Sequence, residues 1–246
     1  MTLTFDPERD VIEASGRLGV YALLATGFVL PTSERLDLIN STLLPAVSML
    51  RLGDNLDAAI VDSAAAFTDD IGDLRVHHSH LFPPIASQDV PGYETGYRGE
   101  GVFQQSSIMA DVAGFYRAHG LQSGGSERER IDHISVELDF MAFVAKKELL
   151  ALNQGKPDWV HACQETAATF LQDHLGCWAP AFGQRVAAVS QSPWYAALGE
   201  LLAAWIDWDM ESMGVEPDGV FSSPLPQEPP DDGSCGSCPT PGLGAS

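Results

Sequence analysis

Three groups of residues in this sequence have types and spacings that could support chemistry. The groups are His77, His78 and His80; Cys235 and Cys238; and Asp132, His133 and Glu137. Imidazoles and thiolates are ligands of zinc and other soft metals, and a histidine beside carboxylates is a candidate general acid or base. Each group also has a purely structural interpretation.

The histidine group has a spacing that favours a helix surface over a metal site. His77 and His80 lie on adjacent turns of one predicted helix, and no carboxylate motif at metal-ligand spacing accompanies them. We therefore interpret these side chains as one flank of a helix that faces solvent or a neighbouring loop.

The C-x-x-C pair formed by Cys235 and Cys238 is half of a metal site or a candidate redox dithiol. A tetrahedral site needs two more ligands, which Cys163, His174 or Cys177 would supply if the C-terminal segment folded back. A redox dithiol would need a folded surrounding that lowers its pKa. Unliganded thiols are the structural alternative, and we expect no metal or other cofactor.

The third group opens a long apolar stretch, with His133 and Glu137 four residues apart and close enough to pair on a helix. The structural alternative is that the carboxylates interact with the helix N-terminus, worth about 0.3–1 kcal/mol, while the imidazole bonds the preceding loop. The phosphate-binding loop, nucleophile elbow and H-E-x-x-H motifs are all missing from the sequence. We therefore favour the structural alternative and expect no enzymatic activity.

Helical periodicity runs through the chain, and no segment shows the alternation of a β-strand. The predicted helices cover 7–30, 33–43, 54–67, 71–82, 102–119 and 131–152, and three more begin at 157, 178 and 192. Apolar residues cover most of the circumference of the 131–152 helix, which places it at the centre of a bundle. The sequence predicts an all-α fold, a bundle of roughly nine helices.

Composition divides the chain into a helical domain, 1–213, and a tail, 214–246. The tail contains 7 of the 16 prolines and five acidic residues without a basic one, so we expect it to be extended or disordered. Within the domain, the proline- and glycine-rich segment 83–101 is a possible hinge.

Charge excludes several classes of partner. The 246 residues include 13 basic and 34 acidic side chains, a net charge of −21. Nucleic acid and anionic membrane surfaces would be repelled, whereas a cationic ligand would be attracted. No stretch reaches the ~20 apolar residues of a membrane helix, and the acidic start is unlike an export signal. These features predict a cytoplasmic protein.

Four motifs, in order along the chain, resemble the TorD/DmsD (NarJ-like) family of redox-enzyme maturation chaperones. They are Tyr93-Glu94-Thr95, the run from Met109 to Ala118, Asp132-His133-Ile134 with Glu137 to Met141, and Phe170 to Leu175 with Trp178 to Phe182. The resemblance covers about residues 10 to 210. The A-D-V-A-G-F-Y-R-A run looks most like the branch that serves ethylbenzene and dimethylsulfide dehydrogenases and selenate and chlorate reductases.

This resemblance implies a cytoplasmic, TorD-like chaperone that is not itself an oxidoreductase. Such a protein holds the catalytic subunit of a molybdoenzyme, often by its twin-arginine signal peptide, until the molybdopterin cofactor is inserted. The family has an acid and a proline before Asp-His; here Ile131 replaces the proline, and Glu127 or Glu129 could stand for the acid. Carried over by motif, the candidate client-binding residues are Tyr93, Glu94, Asp132, His133, Glu137 and Phe140.

The charge pattern agrees with this expectation, because a twin-arginine peptide presents two guanidinium groups followed by an apolar stretch. Its receptor should offer carboxylates beside an apolar groove. We expect Glu94, Asp132 and Glu137 to be the carboxylates, and a groove near Phe140 and Val144 to bind the apolar stretch. An accessory subunit retained in the oxidoreductase, or a metal- or redox-active protein using the C-x-x-C pair, are the alternatives. Monomer and dimer both remain open.

Overall fold

A computed structural model describes residues 7–83, 89–99, 101–121 and 129–225, and these residues form nine continuous helical segments. The segments are α1 (Pro7–Gly27), α2 (Ser33–Leu38, a π-helical turn Ile39–Leu43, and Leu44–Val47), α3 (Asp54–Ala66), α4 (Ile71–Leu81), α5 (Thr95–Arg98), α6 (Val102–Ala118), α7 (Ile134–Asn153), α8 (Pro157–Phe170, a π-helical turn Leu171–Leu175, and Gly176–Val189) and α9 (Pro193–Met213). The described part of the chain contains no β-strand, only an isolated antiparallel bridge. The prediction of an all-α bundle is confirmed.

Local sequence explains where several helices begin and end. The Thr32 hydroxyl accepts a hydrogen bond from the Arg35 amide, and the Asp70 carboxylate accepts from the amides of Gly72 and Asp73. Helix α9 ends at Gly214, whose φ of +68° is the left-handed conformation that glycine adopts without steric cost.

Three boundaries differ from the sequence prediction. The segment 83–101 contains the single helical turn α5, and α7 begins at Ile134 because His133 has an extended backbone with ψ 141°. No break precedes Trp178, since the π-helical turn joins the two parts of α8 and Pro180 lies inside the helix. Pro180 has no N–H to donate within the helix, yet α8 continues past it to Val189.

The central position predicted for the 131–152 helix is confirmed by the packing of α7. Helix α1 lies along one side of α7, and the first part of α8 lies along another. The second part of α8 packs on α9, which also contacts α3. Gly183 and Gly199 allow α8 and α9 to approach closely, because a Cβ at Gly183 would lie 2.5 Å from the Gly199 carbonyl oxygen.

A buried ionic network joins α1, α7 and α9 away from the predicted site. The Arg17 Nε donates to Asp209 Oδ1 at 2.7 Å, and the Tyr21 hydroxyl donates to Asp209 Oδ2 at 2.6 Å. Glu148 lies 3.9 Å from Arg17. Since each charge is buried with a partner, this network fixes the register of three helices.

The described residues include no helix of the length and hydropathy that a membrane crossing requires. Residues 214–225, the described start of the predicted tail, are not helical and lie against the helical body.

Candidate functional site

Two short backbone segments that are far apart in sequence meet beside the N-terminus of α7. The Glu94 amide donates to the Asp132 carbonyl at 2.9 Å, and the Ile134 amide donates to the Gly92 carbonyl at 2.9 Å. This antiparallel bridge pairs Tyr93 with His133. The bridge therefore places the Tyr93-Glu94-Thr95 motif directly against the Asp132-His133 motif.

Asp132 is fully buried, and both oxygens of its carboxylate accept hydrogen bonds from side chains of this protein. Its carboxylate accepts hydrogen bonds from the Thr95 hydroxyl at 2.8 Å and from both sides of the Arg130 guanidinium, at 3.0 and 2.9 Å. The Arg130 guanidinium also lies 4.5 Å from the centre of the Tyr93 ring. Because the Arg130 side chain is 44% exposed, the pair forms the outer edge of the site.

His133 is the N-cap of α7 and is neutral at physiological pH. Its Nδ1 accepts the Ser135 amide at 3.2 Å, which an unprotonated nitrogen can do. Burial, the largest cause, lowers the pKa of His133 to about 4. Gly92 leaves room for the ring, since a Cβ there would lie 3.0 Å from His133 Nε2. The pairing of His133 with Glu137, which the sequence analysis did not favour, is not formed here, because His133 Nδ1 contacts Ser135.

Glu94 is also fully buried, and it receives a guanidinium from one side and an imidazole from the other. The Arg98 Nη1 donates to Glu94 Oε1 and to the Asp173 carbonyl. His174 Nδ1 lies 3.1 Å from Glu94 Oε2, and its Nε2 lies 3.5 Å from Asp111 on α6. This chain of contacts connects Glu94 with α6 and with the π-helical turn of α8.

Glu137 has the most altered environment of the three acids. Burial, followed by the charge of neighbouring Glu94, raises the pKa of Glu137 well above its usual value, which favours the protonated form of this carboxyl. The Trp178 indole donates a hydrogen bond to Glu137 Oε2 at 3.1 Å. Glu137 Oε1 accepts no hydrogen bond from the described residues. As a protonated acid, Glu137 can donate a hydrogen bond to Glu94.

The structure brings together five of the six residues predicted for the site. Tyr93, Glu94, Asp132, His133 and Glu137 share one cluster, but three of them are fully buried carboxyl side chains. The expectation that these acids face an incoming ligand directly is therefore wrong for this conformation.

Phe140 does not join the cluster. It packs in an aromatic core with ring-centre distances of 4.9 Å to Tyr116 and 4.8 Å to Phe170. Phe140 and Val144 are 2% and 1% exposed, so the predicted apolar groove at these residues is absent from this conformation.

Sequence reasoning missed the two arginines that complete the site. Arg98 follows Glu94 by four residues, the spacing of a helical ion pair, and Arg130 precedes Asp132 by two. That spacing was a usable signal for Arg98, but the predicted loop gave no reason to place a helical turn there. Each of the two arginines forms an ion pair with one carboxylate of the cluster, Arg98 with Glu94 and Arg130 with Asp132.

The histidine group lies elsewhere. His77 is 3.4 Å from Asp73 on its own helix, and His78 approaches the Phe28 carbonyl at 3.4 Å. His77 and His80 also line a cavity of about 280 Å³ with Asp89. Within the described residues no three His, Cys, Asp or Glu side chains are arranged to hold a metal ion. Cys235 and Cys238 lie outside those residues, while Cys163 and Cys177 are buried free thiols.

This arrangement has the chemistry of a recognition site. It offers buried carboxylates that hold guanidinium groups, and no group of His, Cys, Asp and Glu side chains among the described residues is arranged to hold a metal ion. The hydroxyls of the cluster bond buried polar groups, Thr95 with Asp132 and Ser135 with His133 Nδ1, each at 2.8 Å. Carboxylates bind guanidinium groups in a bidentate geometry, which is the contact that Asp132 already makes with Arg130.

Comparisons with known proteins agree with this description. Residues 51–184, more than half of the chain, match the model of the nitrate reductase delta subunit family. The chlorate reductase assembly chaperone protein of Ideonella dechloratans is 30% identical over 46% of this chain and 56% of its own length. The perchlorate reductase assembly chaperone protein of Dechloromonas aromatica is 26% identical over 81% of this chain and 91% of its own.

A third relative is the chaperone protein TorD of Shewanella amazonensis, 29% identical over 45% of this chain and 40% of its own length. This chain therefore spans about half of the chlorate reductase chaperone and less than half of this TorD, but nearly all of the perchlorate reductase chaperone. The resemblance to the TorD-type maturation chaperones is confirmed.

Proposed function

Because this chain belongs to the nitrate reductase delta subunit family, with TorD-type assembly chaperones among its relatives, we propose that it is an assembly chaperone for a molybdenum-cofactor oxidoreductase. It binds the apo catalytic subunit in the cytoplasm, by the twin-arginine signal peptide, until the cofactor has been inserted. It binds and releases its client without catalytic turnover.

One observation carries the choice of binding site, namely that Glu94 and Asp132 each already hold one arginine of this chain. The two carboxylates lie on either side of the backbone bridge at Tyr93 and are built to receive guanidinium groups. A client peptide with two consecutive arginines presents the same pair of groups. Its arginines would replace Arg98 and Arg130 when α5 moves away from α7.

The apolar part of the client would have to supply most of the affinity. Exposed ion pairs contribute only about 0–1 kcal/mol each, so the acids provide specificity. Val102 and Phe103 begin α6 directly after α5 and are 76% and 93% exposed. They offer an exposed apolar surface at the start of α6, in place of the groove first expected at Phe140.

Calorimetric titration tests this function. The full-length protein is titrated with a twin-arginine signal peptide from a molybdoenzyme catalytic subunit encoded nearby, and with a peptide in which Lys-Lys replaces the arginines. We expect binding of the first peptide and affinity lower by about tenfold for the second, since lysine lacks the planar fork that a carboxylate matches. Equal affinities would place the specificity outside the arginines.

Variants locate the binding site within the same experiment. Glu94→Gln and Asp132→Asn keep the shapes of the buried side chains, and both should weaken binding of the Arg-Arg peptide. The control is Asp158→Asn, an exposed acid at the start of α8. If Asp158→Asn weakened binding as much as the other two, the general negative charge rather than this site would be responsible.

The family description favours a second candidate, an accessory subunit that stays in the finished oxidoreductase. Purification of the mature enzyme separates the two functions. A chaperone should be present with the apo catalytic subunit and missing after cofactor insertion, whereas an accessory subunit should remain in stoichiometric amount.

A further inference from the structure

Residues 215–225, here called the C-terminal strap, run in extended form across α8 and α5. The Asp218 amide donates to the Gln172 carbonyl at 2.8 Å, the Phe221 amide to the Cys177 carbonyl at 3.0 Å, and the Leu225 amide to the Gly96 carbonyl at 2.8 Å. Val215 and Phe221 pack against the core, while Val220 is 76% exposed. The strap therefore has one inward and one outward side.

The helices leave carbonyl groups available at these places. In the π-helical turn of α8 the Gly176 amide bonds the Leu171 carbonyl, five residues back, and passes over Gln172. The Gln172 oxygen instead accepts Asp218 N–H and the Cys177 thiol. Helix α5 is a single turn, so the Gly96 carbonyl lies at an end where helical partners are missing. The strap satisfies groups that the helices leave unpaired.

Below the strap lies the Glu94 end of the candidate site. The Arg98 guanidinium pairs with Glu94 and lies 5.4 Å from the centre of the Phe221 ring. The bond from Leu225 holds α5 in place, and α5 begins one residue after Glu94. Glu94 has no exposed surface in this arrangement. A ligand can reach Glu94 only if α5 moves, and α5 is tied by the strap.

We propose that the C-terminal strap is an intramolecular cover of the client site, closed in the free protein and displaced when a client peptide binds. The displacement of the strap by a client peptide rests on the proposed function, whereas the covering of the site concerns the free protein alone. A displaced strap frees Arg98 from its aromatic neighbour and releases α5, which opens the way to Glu94.

The strap contains a glycine that permits a selective test. Gly219 has φ +138°, and a Cβ there would lie 3.3 Å from the Phe221 ring. Gly219→Ala should therefore open the strap without touching the helices. Gly53, at the start of α3, has a nearly identical φ of +136° with nothing within 4 Å of an added Cβ. Gly53→Ala is the matched control for backbone strain.

The first measurement is alkylation of the thiols in the full-length protein, with each cysteine followed by mass spectrometry of its peptide. Cys177 lies under the strap, and Cys163, on the first part of α8, is the internal control. We expect Gly219→Ala to accelerate modification of Cys177 by about tenfold, with Cys163 unchanged and neither thiol affected in Gly53→Ala. Phe221→Ala should give the same selective increase.

Two results would contradict the proposal that the strap covers the site in the free protein. One is an unchanged rate at Cys177 in both Gly219→Ala and Phe221→Ala. The other is equal acceleration at Cys177 and Cys163, since that would indicate that the strap unfolds only with the whole domain.

The second measurement is calorimetric titration of the same full-length variants with the Arg-Arg peptide. If the strap is displaced by client, Gly219→Ala should bind more tightly than Gly53→Ala by about threefold to tenfold, because the closed state no longer competes. Equal affinities would overturn the displacement. If neither variant bound the peptide, both the displacement of the strap by a client and the proposed binding of the signal peptide would be wrong. The thiol modification would still test whether the strap covers the site in the free protein.

Discussion

Glu137 shows how far burial changes the chemistry of a single side chain in this protein. Its carboxyl group is buried beside Glu94, and it accepts a hydrogen bond from the Trp178 indole. Two neighbouring negative charges would repel strongly in a buried environment of low dielectric constant. The neutral form of Glu137 is therefore part of the folded state.

Replacing this acid by its amide should change the dependence of stability on pH. Above the usual pKa of 4.5 the unfolded chain loses the Glu137 proton while the folded protein keeps it, so the free energy of unfolding falls as pH rises. The slope from this group is about 1.4 kcal/mol per pH unit until the folded pKa is reached. Glu137→Gln lacks that contribution.

Thermal unfolding of both proteins between acidic and neutral pH measures this difference. We expect the stability of Glu137→Gln relative to wild type to increase as pH rises. A constant difference across the range would mean that Glu137 is ionised in the folded protein.

Glu94 and Arg98 form a buried ion pair that contributes to the stability of the folded protein. Glu94 is fully buried and the Arg98 side chain is 17% exposed, so removal of the cation leaves a buried charge beside His174 and Glu137 without its guanidinium partner. Arg98→Met should lower the free energy of unfolding by about 3 kcal/mol.

A double-mutant cycle in urea checks this interpretation. Combining Arg98→Met with Glu94→Gln should restore a large part of the loss, since the double variant contains no unpaired charge. Strictly additive effects of the two substitutions would contradict a direct interaction.

At the scale of elements, the close approach of α8 and α9 depends on two glycines that face each other. A Cβ at Gly183 would meet backbone atoms of α9, which cannot rotate away. By contrast, a Cβ at Gly114, in the middle of α6, would meet no atom within 4 Å. The two helical glycines therefore predict opposite responses to the same substitution.

Gly183→Ala should lower the free energy of unfolding by about 2–3 kcal/mol, because the helices must separate. Gly114→Ala should raise it by about 0.5–1 kcal/mol, because alanine favours a helix interior. Urea denaturation of both variants gives the comparison. Equal effects would show that the contact between α8 and α9 adjusts more easily than the structure indicates.

At the scale of the whole molecule, the net charge of −21 controls encounter more than affinity. The charge is spread over a surface where exposed groups interact over about 8 Å at physiological ionic strength. A cationic peptide would be drawn toward the protein before it contacts any particular residue.

We therefore expect the association rate of the Arg-Arg peptide to fall as salt increases, while its dissociation rate changes little. Stopped-flow measurements between low and physiological salt separate the two rates. An effect confined to dissociation would indicate that the charges act only within the bound complex.

Much of the architecture was predictable from sequence because helices leave local signals. The helical periodicity along the chain, the positions of most helices and the nearly all-round apolar surface of α7 were all predicted. Each reflects interactions within a few residues or a periodicity of 3.6. We predicted a new helix beginning at residue 178 because a proline rarely lies inside a helix. In the structure, Pro180 lies within the continuous helix α8.

The sequence by itself determined that this chain is a helical, strongly acidic member of a chaperone family, and it supplied the candidate residues for a client-binding site. Only the tertiary structure decided that Glu94 and Asp132 are buried with Arg98 and Arg130, that Glu137 is neutral, and that Phe140 belongs to the core. The reason is physical, since charge state and exposure depend on neighbours brought from distant parts of the chain, whereas helix formation depends mainly on nearby residues.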